Sequence, residues 1–258
     1  MISTEKEKDK LNTRLKLKAK FFRQKIGKAI KDYGMIKNND KVLVCLSGGK
    51  DSFVLFKALS DKSLMHALNY RLMACHIESD LIMDAGKSRL NNVKELLEAS
   101  GVSYAIGMSR PKEKNKRDKI SCFWCSWNRR KAIFEIAHKN NCNKIALGHH
   151  MDDVVETTLL NMFFNGEIST MNPNQEMFDG KFAIIRPLCY VKESEIDSYA
   201  VALNHKKTDA CCSNMNTSKR KYIKRIIADI SRVHPKIKTN IFGSTARIRK
   251  DYLAKRAN

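Results

Sequence analysis

A glycine-bearing turn, Ser47-Gly48-Gly49-Lys50-Asp51-Ser52, directly follows the apolar run 42–46. A turn of this kind between a buried strand and a helix can cradle phosphates, because the glycines let backbone N–H groups approach an anion. Lys50 can place a positive charge on the phosphates, and the two serine hydroxyls can donate hydrogen bonds. The spacing differs from that of the Walker loop, which has a longer interval before its lysine. The residues therefore predict a different phosphate-binding turn, with a purely structural turn as the alternative.

Paired aspartates follow a second apolar run, residues 144–147, after the short segment Gly148-His149-His150-Met151. Asp152 and Asp153 fall in the first turn of a predicted helix, where the helix dipole favours carboxylates. Carboxylate oxygens are also the ligands that Mg²⁺ prefers, and Gly148 leaves room for a ligand near the backbone. Glu156 follows in the next turn, and we predict that two of these three carboxylates hold Mg²⁺ against nucleotide phosphates. The alternative is an acidic helix start without a metal.

Cys122 and Cys125 form a C-x-x-C pair, which places two thiolates on one turn. The other two cysteines that lie close to each other in the sequence are the adjacent Cys211 and Cys212. Zinc normally takes four ligands, and no second C-x-x-C pair completes such a set. Three thiolates suit a four-iron cluster with one coordination position left for chemistry. A redox dithiol and a zinc site remain the alternatives. Four further cysteines are expected to be buried as small apolar side chains: Cys45, Cys75, Cys142 and Cys189.

The formal net charge of +22 is concentrated at the two ends of the 258-residue chain. Residues 1–35 carry 11 Lys/Arg against 4 Asp/Glu, and residues 219–258 carry 13 against 2. Two basic arms on a nearly balanced middle are typical of a nucleic-acid binder. Attraction to an anionic membrane is the alternative, although no run approaches the roughly 18 apolar residues of a membrane span. The charged N-terminus is unlike a signal peptide, so we expect a cytoplasmic protein.

Apolar periodicity predicts one long amphipathic helix over residues 11–30. Strand-like runs follow at 41–47, 71–77, 102–108, 144–149 and 183–186, with helical patterns near 51–60, 88–99, 127–140, 152–164 and 192–203. Strands that alternate with helices indicate an α/β fold with a parallel sheet, which binds ligands at the carboxyl ends of its strands. We predict three segments: a basic helical arm (1–35), an α/β domain with the phosphate and cysteine sites (36–218), and a basic helical C-terminal segment (219–258).

Five motifs in order resemble the tRNA 2-thiocytidine synthetase family of PP-loop ATP pyrophosphatases, over residues 20–235. They are the SGGKDS turn, the C-x-x-C pair followed by Arg129-Arg130, and the stretches 146–153, 160–164 and 185–188. The resemblance implies an adenine-nucleotide α-hydrolase-like fold whose PP-loop grips the pyrophosphate of ATP. It also implies an enzyme, a sulfurtransferase that replaces the C2 oxygen of a cytidine in the tRNA anticodon loop by sulfur.

The same resemblance implies cofactors, partners and site residues. A [4Fe-4S] cluster on three cysteines carries over to Cys122, Cys125 and Cys212, with Cys211 as the alternative third ligand. The expected catalytic residues are Lys50, Asp51, Asp152 and Asp153, with Mg²⁺ beside ATP. ATP is expected to contact Ser47, Gly48, Gly49, Lys50, Asp51, Ser52, His76 and Gly148, and tRNA to contact Arg129, Arg130, Lys219 and Arg220. Expected partners are tRNA, a second copy of the chain in a homodimer, and a sulfur donor such as a cysteine desulfurase or free sulfide.

Three other interpretations stay open. A sister family makes 2-thiouridine, and here Met215 stands where many members of the cytidine family carry a further cysteine. The terminal zinc-binding Cys/His sets usual in that sister family are absent from this sequence, which favours the cytidine branch. A cluster-free ligase would use the same PP-loop to adenylate a carbonyl without the C-x-x-C pair. An RNA-binding or redox-sensing module without catalysis would have no use for the PP-loop.

Overall fold

The computed structural model describes residues 2–79, 84–109, 122–205 and 219–252. Their contacts divide the chain into two compact units. The first unit takes the described residues up to His150 together with 172–205, and the second takes 151–171 together with 219–252. The basic arm at the N-terminus thus belongs to the first unit, and residues 151–171 group with the C-terminal helices. The three predicted segments, divided at residues 35 and 218, stay a prediction.

Within the described ranges, a six-stranded sheet in the order β3-β2-β1-β4-β6-β5 forms the centre of the first unit. Its strands are β1 (Lys41–Leu46), β2 (Arg71–Ser79), β3 (Tyr104–Ser109), β4 (Lys144–Ala146), β5 (Asn174–Met177) and β6 (Phe182–Ile185). All neighbouring strands run parallel except β5, which pairs antiparallel with β6. This sheet confirms the predicted α/β class.

Burial explains why the strands could be recognised from apolar runs. Val42, Leu43 and Val44 of β1 are all 0% exposed, although successive side chains point to opposite faces of a sheet. Both faces of the sheet are therefore covered at β1, as expected for a parallel sheet in an α/β protein.

The helices connect and cover these strands. The described α-helices are α1 (Ile2–Asp32), α2 (Lys50–Leu59), α3 (Lys62–Leu68), α4 (Asp84–Ser100), α5 (Cys122–Lys139), α6 (Met151–Leu160), α7 (Glu193–Ala202), α8 (Lys219–Val233) and α9 (Ile237–Ser244). The predicted amphipathic helix is real and buries Phe22, Ile26 and Ile30. Phe22 stacks on Tyr199 of α7 with ring centroids 4.4 Å apart, which fixes α1 to the first unit.

The second unit is helical. It contains α6, a π-helix over Asn161–Asn165, α8, α9 and a short 3-10 turn. One face of α6 packs on α8 through an apolar cluster of Met151, Val155, Leu159, Ile223 and Ile227. Among the helices described, none combines the length and the apolar character needed to cross a membrane.

Candidate active site

The predicted phosphate turn joins β1 to α2. Gly49 is the N-cap residue of α2, so the N–H groups of the first helical turn are directed away from the helix at this end. Gly48 has a φ of +81°, a left-handed conformation that glycine adopts without strain. The Ser52 hydroxyl donates to the Gly49 carbonyl (2.9 Å) and accepts from the Ser47 N–H (3.1 Å), which fixes the turn. The strand order reverses at β1, and sheets of this kind bind ligands in the crevice at such a point.

Gly148 lies against this turn, at the end of the neighbouring strand β4. A Cβ built on Gly148 would lie 3.0 Å from the carbonyl carbon of Asp51 and 3.0 Å from the backbone nitrogen of Ser52. Both of these atoms are backbone at the start of α2, so they cannot move aside as a flexible side chain would. The structure therefore brings two predicted ATP-binding segments together, and any side chain at residue 148 would force one of them to shift.

His76, another predicted ATP contact, lies on β2 beside the end of β1. It is the β2 partner of Leu46 in the parallel register, and its Nδ1 lies 2.7 Å from the Leu46 carbonyl oxygen. Burial lowers the pKa of His76 below its usual value, and the positive charges of Arg89 and Arg129 act in the same direction. A neutral ring can donate Nδ1–H to that carbonyl, so His76 is a positioned neutral imidazole near pH 7.

Two arginines add positive charge near the turn. A Cβ on Gly48 would collide with the side chain of Arg89 from α4, so Arg89 lies directly on the glycine turn. Arg129 of α5 is near enough to His76 to act on its pKa. The Nε atom of Arg129 is buried and has no hydrogen-bond partner among the residues that the structure describes. These guanidinium groups make the surroundings of the turn favourable for a polyanion.

Lys50, a predicted catalytic residue, contacts two carboxylates of α7. Its Nζ donates to Glu193 (3.2 Å) and to Asp197 (2.5 Å). Burial alone would lower the pKa of Lys50, but the hydrogen bonds to Asp197 and Glu193 raise it above the ordinary lysine value. The lysine is therefore firmly charged, and a phosphate that binds it must compete with two carboxylates.

The predicted magnesium ligands lie in the second unit and already contact cations there. Asp152 is 3% exposed and accepts a hydrogen bond from Lys238 of α9. Arg220 of α8 donates to Asp153 (3.1 Å) and to the buried Glu156 (2.8 Å). Burial raises the pKa of Glu156, which Lys224 and Arg220 oppose. These carboxylates tie α6 to α8 and α9, and the magnesium role stays a prediction.

Sequence comparison with known proteins assigns the chain to a family. Residues 18–229 match the family model of the PP-loop domain. A tRNA-cytidine(32) 2-sulfurtransferase from Cupriavidus necator is 36% identical over 233 residues, covering 88% of this chain and 73% of that protein. The tRNA-cytidine(32) 2-sulfurtransferase of Alcanivorax borkumensis is 36% identical over 251 residues, covering 95% of this chain and 87% of the relative. The chain belongs to the PP-loop family of tRNA-cytidine 2-sulfurtransferases. The resemblance inferred from the five motifs is confirmed.

A solved structure supports the fold of this family member. The U34-tRNA thiolase NcsA from Methanococcus maripaludis, solved with its [4Fe-4S] cluster, superimposes with a TM-score of 0.75. The match covers 94% of this chain and 82% of that one at 23% sequence identity. At this identity the likeness establishes the shared fold, and the cluster is a property of the archaeal protein.

The cysteines of this 2-sulfurtransferase family member divide into two groups. Cys122 opens α5 and half-buried Cys125 follows one turn later, whereas Cys211 and Cys212 lie outside the described residues. The described residues include no group of three or more metal-binding side chains. Burial raises the pKa of Cys142 and of Cys189, the latter to about 12. Such thiols stay protonated, as expected for packing residues rather than metal ligands.

The predicted RNA contacts of the family member have different surroundings. Arg130 and Lys219 are exposed, whereas Arg129 is half-buried. Arg220 is engaged by Asp153 and Glu156 within the second unit. Exposed Arg130 and Lys219 are thus better placed to meet phosphates than Arg220, and the RNA-binding roles stay predictions.

Several residues of the site were missed by reading the sequence. Arg89 occupies a predicted helix that begins soon after β2, which was the one available signal for it. Glu193 and Asp197 contact Lys50 from more than 140 positions away, and no local pattern could show this. A cavity of about 280 Å³ also adjoins the turn, lined in part by Gly48, Ser52, Phe53, Asn92 and His205. Its walls come from the turn, from α2 and α4, and from residues 203–205.

Proposed function

We propose that this protein is an ATP-dependent tRNA thiolase that replaces the C2 oxygen of a cytidine in the anticodon loop by sulfur. The observation that carries the proposal is the PP-loop closed by Gly148 at the reversal of strand order, in a chain 36% identical to two tRNA-cytidine(32) 2-sulfurtransferases. The basic composition of the chain, with a net charge of +22, supports a polyanionic substrate.

The residues of the turn bind the phosphates of ATP. Backbone N–H groups at the start of α2 and the Lys50 ammonium bind the β- and γ-phosphates, and Arg89 adds positive charge on the glycine side. The C2 oxygen of the base attacks the α-phosphorus, the bond to the β-phosphate oxygen breaks, and pyrophosphate leaves. Sulfide then attacks C2, the C2–O bond breaks, and AMP leaves with the original oxygen. Lys50 must release Glu193 and Asp197 to follow the phosphates.

A [4Fe-4S] cluster fits the cysteine spacing on α5. Cys122 and Cys125 begin the helix one turn apart, and Cys212, with Cys211 as the alternative, would complete three ligands. When bound, such a cluster supplies a coordination position that no cysteine takes, which suits delivery of sulfide. Arg129, one helical turn beyond Cys125, lies near enough to His76 for its positive charge to lower the pKa of that ring.

Further expectations follow from the same function. Mg²⁺ accompanies ATP, and Asp152 and Asp153 remain its candidate ligands, although Lys238 and Arg220 would first have to leave them. A cysteine desulfurase or free sulfide supplies the sulfur. We also expect a homodimer, and a location in the cytoplasm with the tRNA. The sister activity on a uridine, and a cluster-free ligase, are the competing functions.

The test is a nucleoside mass analysis. Anaerobically purified protein is incubated with unmodified tRNA, ATP, Mg²⁺ and sulfide, and the digested nucleosides are separated and weighed. Formation of 2-thiocytidine that requires ATP is the expected result. Cys122→Ala is expected to lose both the cluster absorption and the thiolation while ATP still binds.

Each other outcome changes either the function or the mechanism. A 2-thiouridine product would keep the mechanism and move the protein to the sister branch. ATP cleavage with tRNA but without any thionucleoside would favour the ligase. Full thiolation by Cys122→Ala would remove the cluster from the mechanism.

A further inference from the structure

The π-helix of the second unit exposes three large apolar side chains in a row. Met162 is 44% exposed, Phe163 54% and Phe164 38%. Three consecutive exposed apolar side chains are unusual on a helix, because its apolar residues normally face the core and its polar residues face solvent. π-helical turns are rare and are frequent at functional sites. These three side chains, here named the MFF patch, have no role in the function proposed above.

The patch is held in a defined conformation. The Asn161 side-chain amide donates to the hydroxyl of Ser169 (2.7 Å) and to its carbonyl (3.1 Å). Gly166 ends the π-helix with a φ of +67°, and its N–H donates to the Asn161 carbonyl. The Asn165 side chain in turn donates to the Asn161 side-chain oxygen (3.1 Å). Asn161 therefore fixes the turn that presents the aromatic rings.

Positive charge surrounds the patch. The Lys219 ammonium lies 4.7 Å from the ring centroid of Phe164, within cation–π distance. The first seven residues of α8, Lys219–Arg225, include five lysines and arginines. Two of these contact Glu156, but Lys219, Lys221 and Arg225 are exposed. A partner for this surface must offer a flat apolar face together with negative charge.

We propose that the MFF patch binds an unpaired nucleotide of the substrate tRNA, with the base stacked on Phe163 and the adjoining phosphate on Lys219. This inference rests on the proposed function, since it assigns a surface to the same substrate. Unstacked bases of single-stranded RNA typically stack on aromatic side chains while lysines bind the backbone. A second copy of this chain would fit the rings but would bring its own excess of positive charge to Lys219, which disfavours it.

The test compares two RNA ligands for each variant. Wild-type protein, Phe163→Ala, Phe163→Leu and Lys219→Gln are titrated, by fluorescence anisotropy at fixed salt, with a labelled anticodon stem-loop and with a fully paired duplex of equal length. Phe163→Ala is expected to weaken stem-loop binding about tenfold, the loss typical of one stacked base, and to leave duplex binding unchanged. Phe163→Leu is expected to weaken stem-loop binding nearly as much, because leucine is apolar but has no flat ring on which a base can stack. Lys219→Gln is expected to weaken both ligands and to reduce the salt dependence by about one phosphate contact.

A matched control and two contrary outcomes test the proposal. Val233→Ala removes an apolar side chain that is 88% exposed at the other end of α8, and it is expected to change neither affinity. Equal loss of stem-loop and duplex affinity in Phe163→Ala would overturn base stacking. Unchanged RNA affinity together with a halved mass in analytical ultracentrifugation would identify the patch as an interface between two copies.

Failure of this inference can be told from failure of the proposed function. If wild-type protein makes 2-thiocytidine while Phe163→Ala binds the stem-loop as wild type does, the patch proposal alone is wrong. If wild-type protein makes no thionucleoside and binds stem-loop and duplex equally, the proposed function is wrong, and the patch proposal that rests on it is wrong as well.

Discussion

A single methyl group at Gly148 would press the segment that follows β4 against the start of α2. Its Cβ would meet backbone atoms of Asp51 and Ser52 at 3.0 Å, so one of the two segments must shift. We expect Gly148→Ala to destabilise the protein by about 1–3 kcal/mol, as overpacking does, and to weaken ATP binding at least tenfold. Urea unfolding and calorimetric titration with ATP measure the two effects.

The control for this prediction is Gly27→Ala. A Cβ on Gly27 would have no neighbouring atom within 4 Å, and Gly27 lies inside α1, where alanine is the better helix former. This variant is expected to be as stable as wild type or slightly more so, with unchanged ATP affinity. Unchanged ATP affinity in Gly148→Ala would show that the segment after β4 does not contribute to the nucleotide site.

Asp152 offers a choice between a structural and a metal-binding role. It is almost fully buried and contacts Lys238, so Asp152→Asn leaves that ammonium without its counter-charge. Since Lys238 is 35% exposed, we expect a loss of about 1–3 kcal/mol in the free energy of unfolding, less than for a fully buried pair. Asp229→Asn breaks an exposed pair with Arg232 on α8 and should change stability by less than about 0.5 kcal/mol. If Asp152→Asn kept full stability but lost Mg²⁺-dependent ATP cleavage, the metal role would be correct.

His76 links stability to pH. Its pKa is held below the ordinary 6.5 by burial, so the folded protein takes up this proton less readily than the unfolded chain. The stability from the neutral ring is therefore complete above pH 6.5 and is lost as the pH falls below it. His76→Gln should show a smaller loss of unfolding free energy than wild type between pH 7.5 and pH 5.5, measured by urea unfolding. Parallel losses in the two proteins would show that His76 is not the group responsible.

The sequence predicted single site residues well, but it did not predict their ion-pair partners. Ser47, Gly48 and Ser52 could be recognised because a strand, a turn and a helix succeed one another within one short segment. The partners of Lys50 and Asp152 could not, since Glu193 and Lys238 reach them across long stretches of chain. Spacing in a sequence identifies a turn, whereas an ion pair between distant elements depends on how those elements pack.

Helix α1 illustrates how an element is anchored. Phe22 is 2% exposed and stacks on Tyr199, whereas its neighbour Phe21 is 39% exposed. Phe22→Ala should lower the free energy of unfolding by about 3–5 kcal/mol, and Phe21→Ala by less than about 1 kcal/mol. Chemical denaturation of the two variants measures the difference. Similar losses in both would mean that α1 is held by its whole surface rather than by this stripe.

Elements were predicted where burial imposes a pattern. The parallel strands β1, β2 and β6 are apolar because they are covered, and their positions followed from the sequence. The edge strand β5 has the polar sequence Asn-Gln-Glu-Met and its four residues are half-buried or exposed, so no apolar run indicated it. The short helix α3 was also missed, although Asp61 caps it by accepting from the Ser63 N–H at 2.9 Å.

The whole molecule carries a large positive charge, which predicts strong salt dependence. If the basic surface binds tRNA phosphates, four contacts alone would weaken the affinity about 100-fold between 50 and 200 mM salt. Filter binding of tRNA at a series of salt concentrations measures this slope. A change of less than about threefold would contradict an electrostatic role for the charge of +22.

The division of the chain into two units also bears on the order in which the protein can fold. The second unit is assembled from two separate stretches, since α6 must wait for α8 and α9 from the far end of the chain. During synthesis the ribosome releases Met151, Val155 and Leu159 well before Ile223 and Ile227 exist to cover them. Until the last segment emerges, α6 shows a bare apolar face. A chain cut short before α8 would therefore leave this apolar face of α6 uncovered, even with its sheet complete.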